Sequence, residues 1–184
     1  MISIRTEQSR DLLAREALLD DAFGFDRREK TCERLREGRI PAKGLSLIAD
    51  DHGSVVGTVR LWPVEIGGAA ALLLGPLAVA SSHQAHGIGG RLMRVALNRA
   101  VSQGYPSIIL VGDERYYVRF GFSTRVMTGI DLPGPVDRDR FLGLEFTPGA
   151  LSRRRGMVVA AGEPVIISSR HRAKDHVSQI ARAA

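Results

Sequence analysis

Short runs of alternating hydrophobic and polar positions, separated by turn residues, dominate the first half of the chain. Three of these runs have the pattern that is typical of strands: 45–50, 54–66 and 71–80. The sequence "DHG" separates the first two runs and "GGAA" separates the last two, so both connections are predicted to be tight turns. The pattern predicts an antiparallel meander of three strands, in which Pro63 requires an edge position or a bulge.

Helical periodicity precedes this meander. After a short strand in the segment "ISIR", residues 8–23 are predicted to form a helix. Its buried stripe is predicted to contain Leu12, Leu19 and Phe23. A looser helical stretch is predicted over about 28–37.

A second, stronger helical pattern follows the meander and spans about 87–103. Its apolar face is predicted to contain Ile88, Leu92, Val95, Ala96 and Ala100, and Gly104 is expected to end it. The apolar run 107–112 predicts a strand parallel to 71–80, because a helix connects the two. A short helix over 113–119 and weaker strands over 141–146 and 157–161 complete an α/β fold with a mixed sheet.

Size and composition favour one ordinary globular domain. The chain has 184 residues, of which 44% are hydrophobic and 25% charged, and no apolar run reaches the roughly 20 residues of a membrane span. Without a signal-peptide pattern at the start, a cytoplasmic location is expected. The single cysteine, Cys32, is interpreted as a packing thiol, and no metal site is expected because no histidine pair has ligand spacing.

The net charge of +6 is concentrated near the C-terminus. From Ala150 onward the chain carries seven basic and two acidic residues, so the preceding part is almost neutral. We predict a single domain over residues 1–167 and a basic, flexible tail over 168–184.

Three glycines mark the start of the second helix in "GPLAVASSHQAHGIGGRLMRVAL", which runs from Gly75 to Leu97. A glycine-rich turn that leads into a helix N-terminus presents backbone N–H groups to an anion. A P-loop is excluded because Gly90 is followed by Arg91 and Leu92 rather than by Lys and Ser or Thr. The dinucleotide fingerprint is excluded by the glycine spacing and by the meander that precedes it.

A third pattern fits this loop. Gln84 to Gly89 matches Gln/Arg-x-x-Gly-x-Gly/Ala, "LGPLAV" precedes it as an apolar strand, and "YYVRFGF" follows one strand and one short helix later. Together these segments resemble the GNAT superfamily of N-acetyltransferases, in particular its bacterial predicted N-acetyltransferases. The resemblance covers residues 1–126 in element order and 72–122 in motif detail, and it implies a GNAT-like fold with a splayed central sheet.

The resemblance implies acetyl-CoA as the cofactor. Its pyrophosphate would be held by the loop, and its pantetheine would pair with the strand before the loop like an extra strand. The cofactor-binding residues implied in this way are Leu77, Ala78, Val79, Gln84, Ala85, His86, Gly87, Ile88, Gly89, Gly90, Arg91 and Tyr117. Gly87 and Gly89 lack the Cβ atoms that would block the phosphates. His86 departs from the arginine or lysine more usual at its position.

The resemblance also implies which groups act on the thioester. The Leu77 N–H would stabilise the oxyanion that forms as an amine attacks the acetyl group. Tyr117, four residues before Gly121, takes the position of the family's general acid, with Tyr116 as the alternative. Asp113 is expected to cap the short helix.

The general base is left open. The strand "ALLLGPLAV" contains no titratable group, so Glu65, at the end of the preceding strand, is one candidate. An exposed surface glutamate is the alternative interpretation of Glu65, and water relayed by backbone carbonyls is another route for the proton.

These observations predict an N-acetyltransferase that acts by direct attack in a ternary complex. The expected partners are acetyl-CoA and a small-molecule or peptide amine, without nucleic acid or membrane, and a homodimer is one option for the oligomeric state. Two alternatives remain: a non-catalytic acyl-CoA-binding module, which would not need Tyr117, and an acetyltransferase of charged tRNA, suggested only by the basic C-terminal end.

Overall fold

A computed structural model describes residues 1–165 of the chain. One mixed sheet forms its centre, with the strand order β1-β2-β3-β4-β5-β7, while β8 pairs with both β3 and β6. In chain order the strands are β1 (Ser3–Thr6), β2 (Ser46–Asp51), β3 (Ser54–Ile66), β4 (Ala69–Val79), β5 (Ser107–Val111), β6 (Ile130–Asp131), β7 (Phe141–Glu145) and β8 (Gly156–Ala160). The α-helices are α1 (Leu12–Phe23), α2 (Ile88–Ser102) and α3 (Glu114–Tyr117).

The predicted meander and crossover are confirmed. Strands β2, β3 and β4 pair antiparallel in sequence, and β5 runs parallel to β4 after the α2 crossover. Pro63 lies beyond the last β2 partner of β3, Arg60, and before its first β8 partner, Val64. The missing N–H of Pro63 therefore falls where β3 has β4 as its only ladder partner, and a bulge lies nearby between Val59 and Leu61.

Alternate residues of the central strands belong to two hydrophobic clusters on opposite faces of the sheet. Leu72 and Leu74 of β4 pack in the cluster that contains α2, whereas Leu73 packs in the cluster that contains Trp62 and Phe141. Covering both faces in this way explains why β4 is apolar at consecutive positions.

The predicted face of α1 is confirmed at Leu19 and wrong at Leu12 and Phe23. Leu12 is 49% exposed and Phe23 is 37% exposed, while the buried residues are Arg15, Leu18 and Leu19. An ion pair with Glu7 and a second with Glu16 let the Arg15 guanidinium lie in the interior. Apolar periodicity could not anticipate a buried arginine.

Other elements differ in extent from the prediction. The stretch 28–37 forms two 3-10 helices, Phe25–Glu29 and Thr31–Leu35, rather than one α-helix. The short helix after β5 spans Glu114–Tyr117 and continues as a 3-10 turn. The predicted tail, 168–184, lies outside the described residues, so the domain boundary stays a prediction. Among residues 1–165, no helix combines the length and apolar character that crossing a bilayer requires.

Asp11 joins β1 to the start of α1 and gives a stability prediction. Its carboxylate accepts hydrogen bonds from Arg5 at 2.6 and 2.8 Å and from the Gln8 N–H at 2.7 Å. The hydrogen bonds from Arg5 lower the pKa of Asp11 to about 2, from 3.8 in an unstructured chain. Asp11→Asn should therefore lower the free energy of unfolding at pH 7 by roughly 2 kcal/mol.

Because the folded pKa is the lower one, this contribution is present above about pH 4 and is lost as the pH falls towards 2. Urea unfolding curves at pH 7, 4 and 2 should show the difference between wild type and Asp11→Asn closing over that range. Asp21→Asn, an exposed change on α1, is the matched control. A pH-independent difference would contradict the assignment of the effect to the carboxylate charge.

Candidate functional site

A cleft of about 1100 Å³ opens where β4 and β5 separate. The two strands pair only at Leu72 with Ile108 and at Leu73 with Ile109. Beyond Leu73, β4 continues as far as Val79 beside β3 alone, while β5 continues beside β7. The indole Nε1 of Trp62 donates a 2.7 Å hydrogen bond to the carbonyl of Gly75, which fixes β4 at the point of separation.

Along this cleft, the backbone N–H and C=O groups of β4 point alternately towards β3 and towards the cleft. The Ala80 N–H donates to the Val56 carbonyl at 2.9 Å, and Ala78 lies opposite Thr58 in the same register. Hydrogen-bonded and non-hydrogen-bonded pairs alternate in an antiparallel ladder, so Ala78 also bonds towards β3. The N–H and C=O groups of Leu77 and Val79 therefore point to the cleft.

The loop after β4 provides a second set of backbone donors. Ala85 and Gly87 have left-handed φ values of 63° and 72°, which turn the chain into α2. The first intrahelical bond runs from the Arg91 N–H to the Gly87 carbonyl, so the preceding N–H groups of the first turn have no partner within the helix. The N-cap residue, Gly87, has no side chain that could accept a hydrogen bond from these groups. This end of α2 thus presents free donors and the positive end of the helix dipole.

The glycines of the loop differ in the space around them. A Cβ on Gly87 would meet nothing within 4 Å, but a Cβ on Gly89 would lie 2.7 Å from the hydroxyl oxygen of Tyr116. Gly90 has its nearest neighbour, Nη1 of Arg94, at 3.7 Å from the same constructed position. Gly89 is therefore the member of the loop at which any side chain would intrude on the cleft wall.

Most of the predicted cofactor residues line this one cleft: Leu77, Ala78, Val79, Gln84, Ala85, Gly87, Ile88, Gly89, Gly90 and Tyr117. The remaining two do not line it. The Arg91 guanidinium donates to the Ile2 carbonyl at 2.9 Å, and His86 Nδ1 lies 2.7 Å from the Gln84 carbonyl oxygen. These two side chains therefore bond to the backbone before β1 and to the loop backbone, and their position beside the phosphates stays a prediction.

Sequence reasoning missed two arginines in the half of the cleft beside the glycine loop, Arg94 and Arg119. The Arg119 guanidinium lies 4.0 Å from the centre of the Tyr116 ring and also donates to the Tyr116 carbonyl. Arg94 is one helical turn after Gly90, on the face that begins at the loop. That i, i+4 spacing was the available signal for Arg94, while the position of Arg119 depends on how α3 docks.

Tyr116 and Tyr117 both line the cleft, with their rings edge to face at 4.9 Å. Tyr117 packs so closely over Gly112 that a Cβ there would lie 2.3 Å from its ring, and its other neighbour is Phe122. Burial raises the pKa of Tyr117 to about 12, and burial also raises the pKa of Tyr116. Both phenols are therefore protonated at every pH at which enzymes usually work.

Glu65 lies outside the cleft. It is an exposed residue of β3, paired with Ala70 of β4 and Val159 of β8. This is the closed end of the β3–β4 hairpin, beyond the positions at which β4 pairs with β5. The exposed-surface interpretation of Glu65 fits this placement, and its assignment as general base does not.

Asp113 caps α3, as predicted, by accepting a 3.0 Å hydrogen bond from the Arg115 N–H. The cleft continues past it to a second set of side chains that the sequence did not connect with the site. These come from the end of α1, the two 3-10 helices and the segment before β7, and they include Phe23, Lys30, Cys32, Arg36, Val136 and Arg140. The cleft therefore has one half beside the glycine loop and another beside the 3-10 helices.

Comparison with known proteins identifies the same regions. A family model described as an acetyltransferase (GNAT) domain matches residues 42–124, which contain β3, β4, the glycine loop, α2 and both tyrosines. The N-acetyltransferase YhbS of Escherichia coli is 30% identical to the chain over 157 residues, spanning 84% of this chain and 93% of the relative.

Solved structures agree with this match. YhbS from Escherichia coli in complex with CoA has a TM-score of 0.73 and 29% identity, with 87% of this chain and 89% of that chain covered. A GNAT family acetyltransferase from Brucella melitensis in complex with acetyl-CoA has a TM-score of 0.62 and 30% identity, with 88% and 96% covered. The chain therefore belongs to the GNAT family of N-acetyltransferases.

Proposed function

We propose that the protein transfers the acetyl group of acetyl-CoA to an amine by direct attack within a ternary complex. The observation that carries this proposal is the separation of β4 from β5, which leaves the backbone groups of Leu77 and Val79 facing a long cleft. An amide-bearing arm such as pantetheine can pair with Val79 as a neighbouring strand would. The complexes of the two relatives with CoA and acetyl-CoA support this choice of cofactor.

The pyrophosphate would lie at the N-terminus of α2. Unpaired N–H groups between Ala85 and Gly90 would bind its oxygens, and the helix dipole would favour its charge. Arg94 and Arg119 line the same part of the cleft and replace His86 and Arg91 as the proposed cationic neighbours. The Gln84 amide, 3.4 Å from the Val79 carbonyl, makes a bond long enough to be exchanged easily for one from the cofactor.

Leu77 would act through its main chain. As the amine nitrogen bonds to the thioester carbon, negative charge builds on the carbonyl oxygen, and the Leu77 N–H donates to it. Collapse of this intermediate breaks the C–S bond, the nitrogen gives its proton to water, and the sulfur leaves as a thiolate. Water is the proposed acceptor of that proton, since Glu65 lies outside the cleft.

Tyr117 is the proposed acid at the sulfur, but burial changes how it would act. A thiol has a pKa of ~8.5, so full transfer from a phenol with a pKa of about 12 is uphill by roughly 5 kcal/mol. We therefore assign Tyr117 as a hydrogen-bond donor to the developing thiolate, which takes its final proton from solvent. Such a donor, placed in advance where charge develops, lowers the barrier without giving up its own proton.

Release of free thiol tests the proposal directly. Acetyl-CoA is incubated with the full-length protein and a panel of primary amines that includes polyamines, amino acids, aminoglycosides, N-terminal peptides and lysine peptides. We expect amine-dependent thiol release, with the matching acetylated product found by mass spectrometry. A raised melting temperature with acetyl-CoA but no product from any amine would favour a non-catalytic acyl-CoA-binding protein.

A further inference from the structure

Arg36 lies in the half of the cleft that the cofactor would leave open. It directly follows the 3-10 helix Thr31–Leu35, and its side chain is only 12% exposed. The guanidinium rests on Gly75 of β4, since a Cβ built there would lie 3.2 Å from Nη2. Gly75 and Leu77 line the same cleft, so Arg36 is beside the predicted position of the acetyl group.

The guanidinium is poorly satisfied by the described part of the protein. Nε is buried without a hydrogen-bond partner, and the nearest carboxylate oxygen, on Glu33, is 3.6 Å from Nη1. A guanidinium has five N–H donors, and burying them unpaired is costly. Burial accordingly lowers the pKa of Arg36. Arg27, in the same cleft, shows the usual solution, since it binds Asp20 at 2.7 Å and Glu16.

The charges around this half of the cleft favour an anion. The basic side chains in its lining are Lys30, Arg36, Arg140 and the ion-paired Arg27, against Glu29, Asp137 and the helix-capping Asp113. Asp137 already accepts a hydrogen bond from the Asp139 N–H at 3.0 Å. An anionic group entering here would therefore meet unpaired donors and a positive potential.

We propose that Arg36 binds the carboxylate of the acceptor, so that the substrate is a free amino acid rather than a simple amine or a protein lysine. This inference rests on the proposed function. A planar carboxylate can accept two parallel bonds from the guanidinium fork, which matches the unpaired donors.

Distances limit the separation of amine and carboxylate in that substrate. Gly75 and Leu77 are two residues apart, at most about 7 Å along the chain. Within that distance, the attacking nitrogen lies about 3 Å from the thioester carbon. The carboxylate oxygen lies ~2.8 Å from the guanidinium nitrogen that donates to it. The acceptor that fits this short path has its amine and carboxylate close together, as α- and β-amino acids do.

The test compares matched acceptors with full-length protein. Glycine, L-alanine, L-methionine and β-alanine are each assayed beside their amides and their decarboxylated amines, and kcat/KM is measured by thiol release. We expect at least one amino acid to exceed its amide by about 100-fold. Arg36→Gln should remove that preference through the acceptor KM, with the KM for acetyl-CoA unchanged. Arg28→Gln, an exposed change outside the cleft, is the control.

Two further measurements separate this inference from the proposed function and from misfolding. Thermal shift with saturating CoA and each amino acid reports carboxylate binding even if no transfer occurs, and Arg36→Gln should lose that shift. Arg36→Met should leave the melting temperature of the unliganded protein unchanged or raise it, because a buried charge without partners is removed. Equal activity towards acids and amides, or a preference that survives Arg36→Gln, would overturn the proposal.

Discussion

Gly89→Glu should abolish the stabilisation of the protein by acetyl-CoA. Acetyl-CoA at 100 times its Kd adds about 2.7 kcal/mol to the free energy of unfolding, which corresponds to roughly 5–10 °C for a chain of this length. A glutamate at Gly89 places a carboxylate among the N–H groups proposed to bind the pyrophosphate, and its Cβ would lie 2.7 Å from the Tyr116 hydroxyl. Differential scanning fluorimetry with and without acetyl-CoA measures the effect.

The control for this change keeps the added charge and moves it off the cleft. Asn98→Glu, at an exposed position of α2, should retain the full shift. If Gly89→Glu lowers the melting temperature of the unliganded protein, the double variant with Tyr116→Phe removes the oxygen that the new Cβ meets and should recover part of that loss. A normal acetyl-CoA shift in Gly89→Glu would mean that the phosphates bind elsewhere.

Tyr117→Phe should lower kcat by about 100-fold while leaving the KM for acetyl-CoA within about twofold. The phenylalanine keeps the packing against Gly112 and Phe122 and removes only the hydroxyl proposed to donate to the leaving sulfur. Steady-state kinetics with a reactive amine, together with the thermal shift by acetyl-CoA, separates the two effects.

Tyr116→Phe is the matched control, since the two rings line the same cleft 4.9 Å apart. It should keep kcat within a few-fold of wild type. Because the pKa of Tyr117 is raised to about 12, the phenol stays protonated as the pH rises, and the pH profile of kcat should show no alkaline loss from this group below about pH 11. A large loss in Tyr116→Phe with none in Tyr117→Phe would assign the donor to Tyr116.

The parts of the fold that depend on residues close together in the sequence could be predicted from the sequence. Local alternation and turn chemistry were enough to find β2, β3 and β4, and the loop from Gln84 to Gly89 was found by its glycines. The face of α1 was missed because Glu7, which pairs with the buried Arg15, comes from outside the helix. Periodicity assumes that buried positions are apolar, and an ion pair breaks that assumption.

The half of the cleft beside the 3-10 helices was also beyond reach of the sequence. Arg36 meets Gly75 across 39 positions of chain, and nothing in its local pattern distinguishes it from the exposed Arg28 and Arg34. Glu65 was included among the candidates although it lies outside the cleft. A carboxylate at the end of a central strand is a plausible base until the sheet shows which end of the strand faces the cleft. Both depend on tertiary packing rather than on spacing.

Strands β4 and β5 are joined at one end only, by the two paired positions at Leu72 and Leu73. On the paired side of Leu73, β8 extends the sheet by pairing with Val64, Glu65 and Ile66 of β3. The far ends of the two strands, at Val79 and Val111, are not paired with each other. A change in the width of the cleft at these ends would therefore cost no ladder hydrogen bond between β4 and β5, and the width there depends on the side chains that line the cleft.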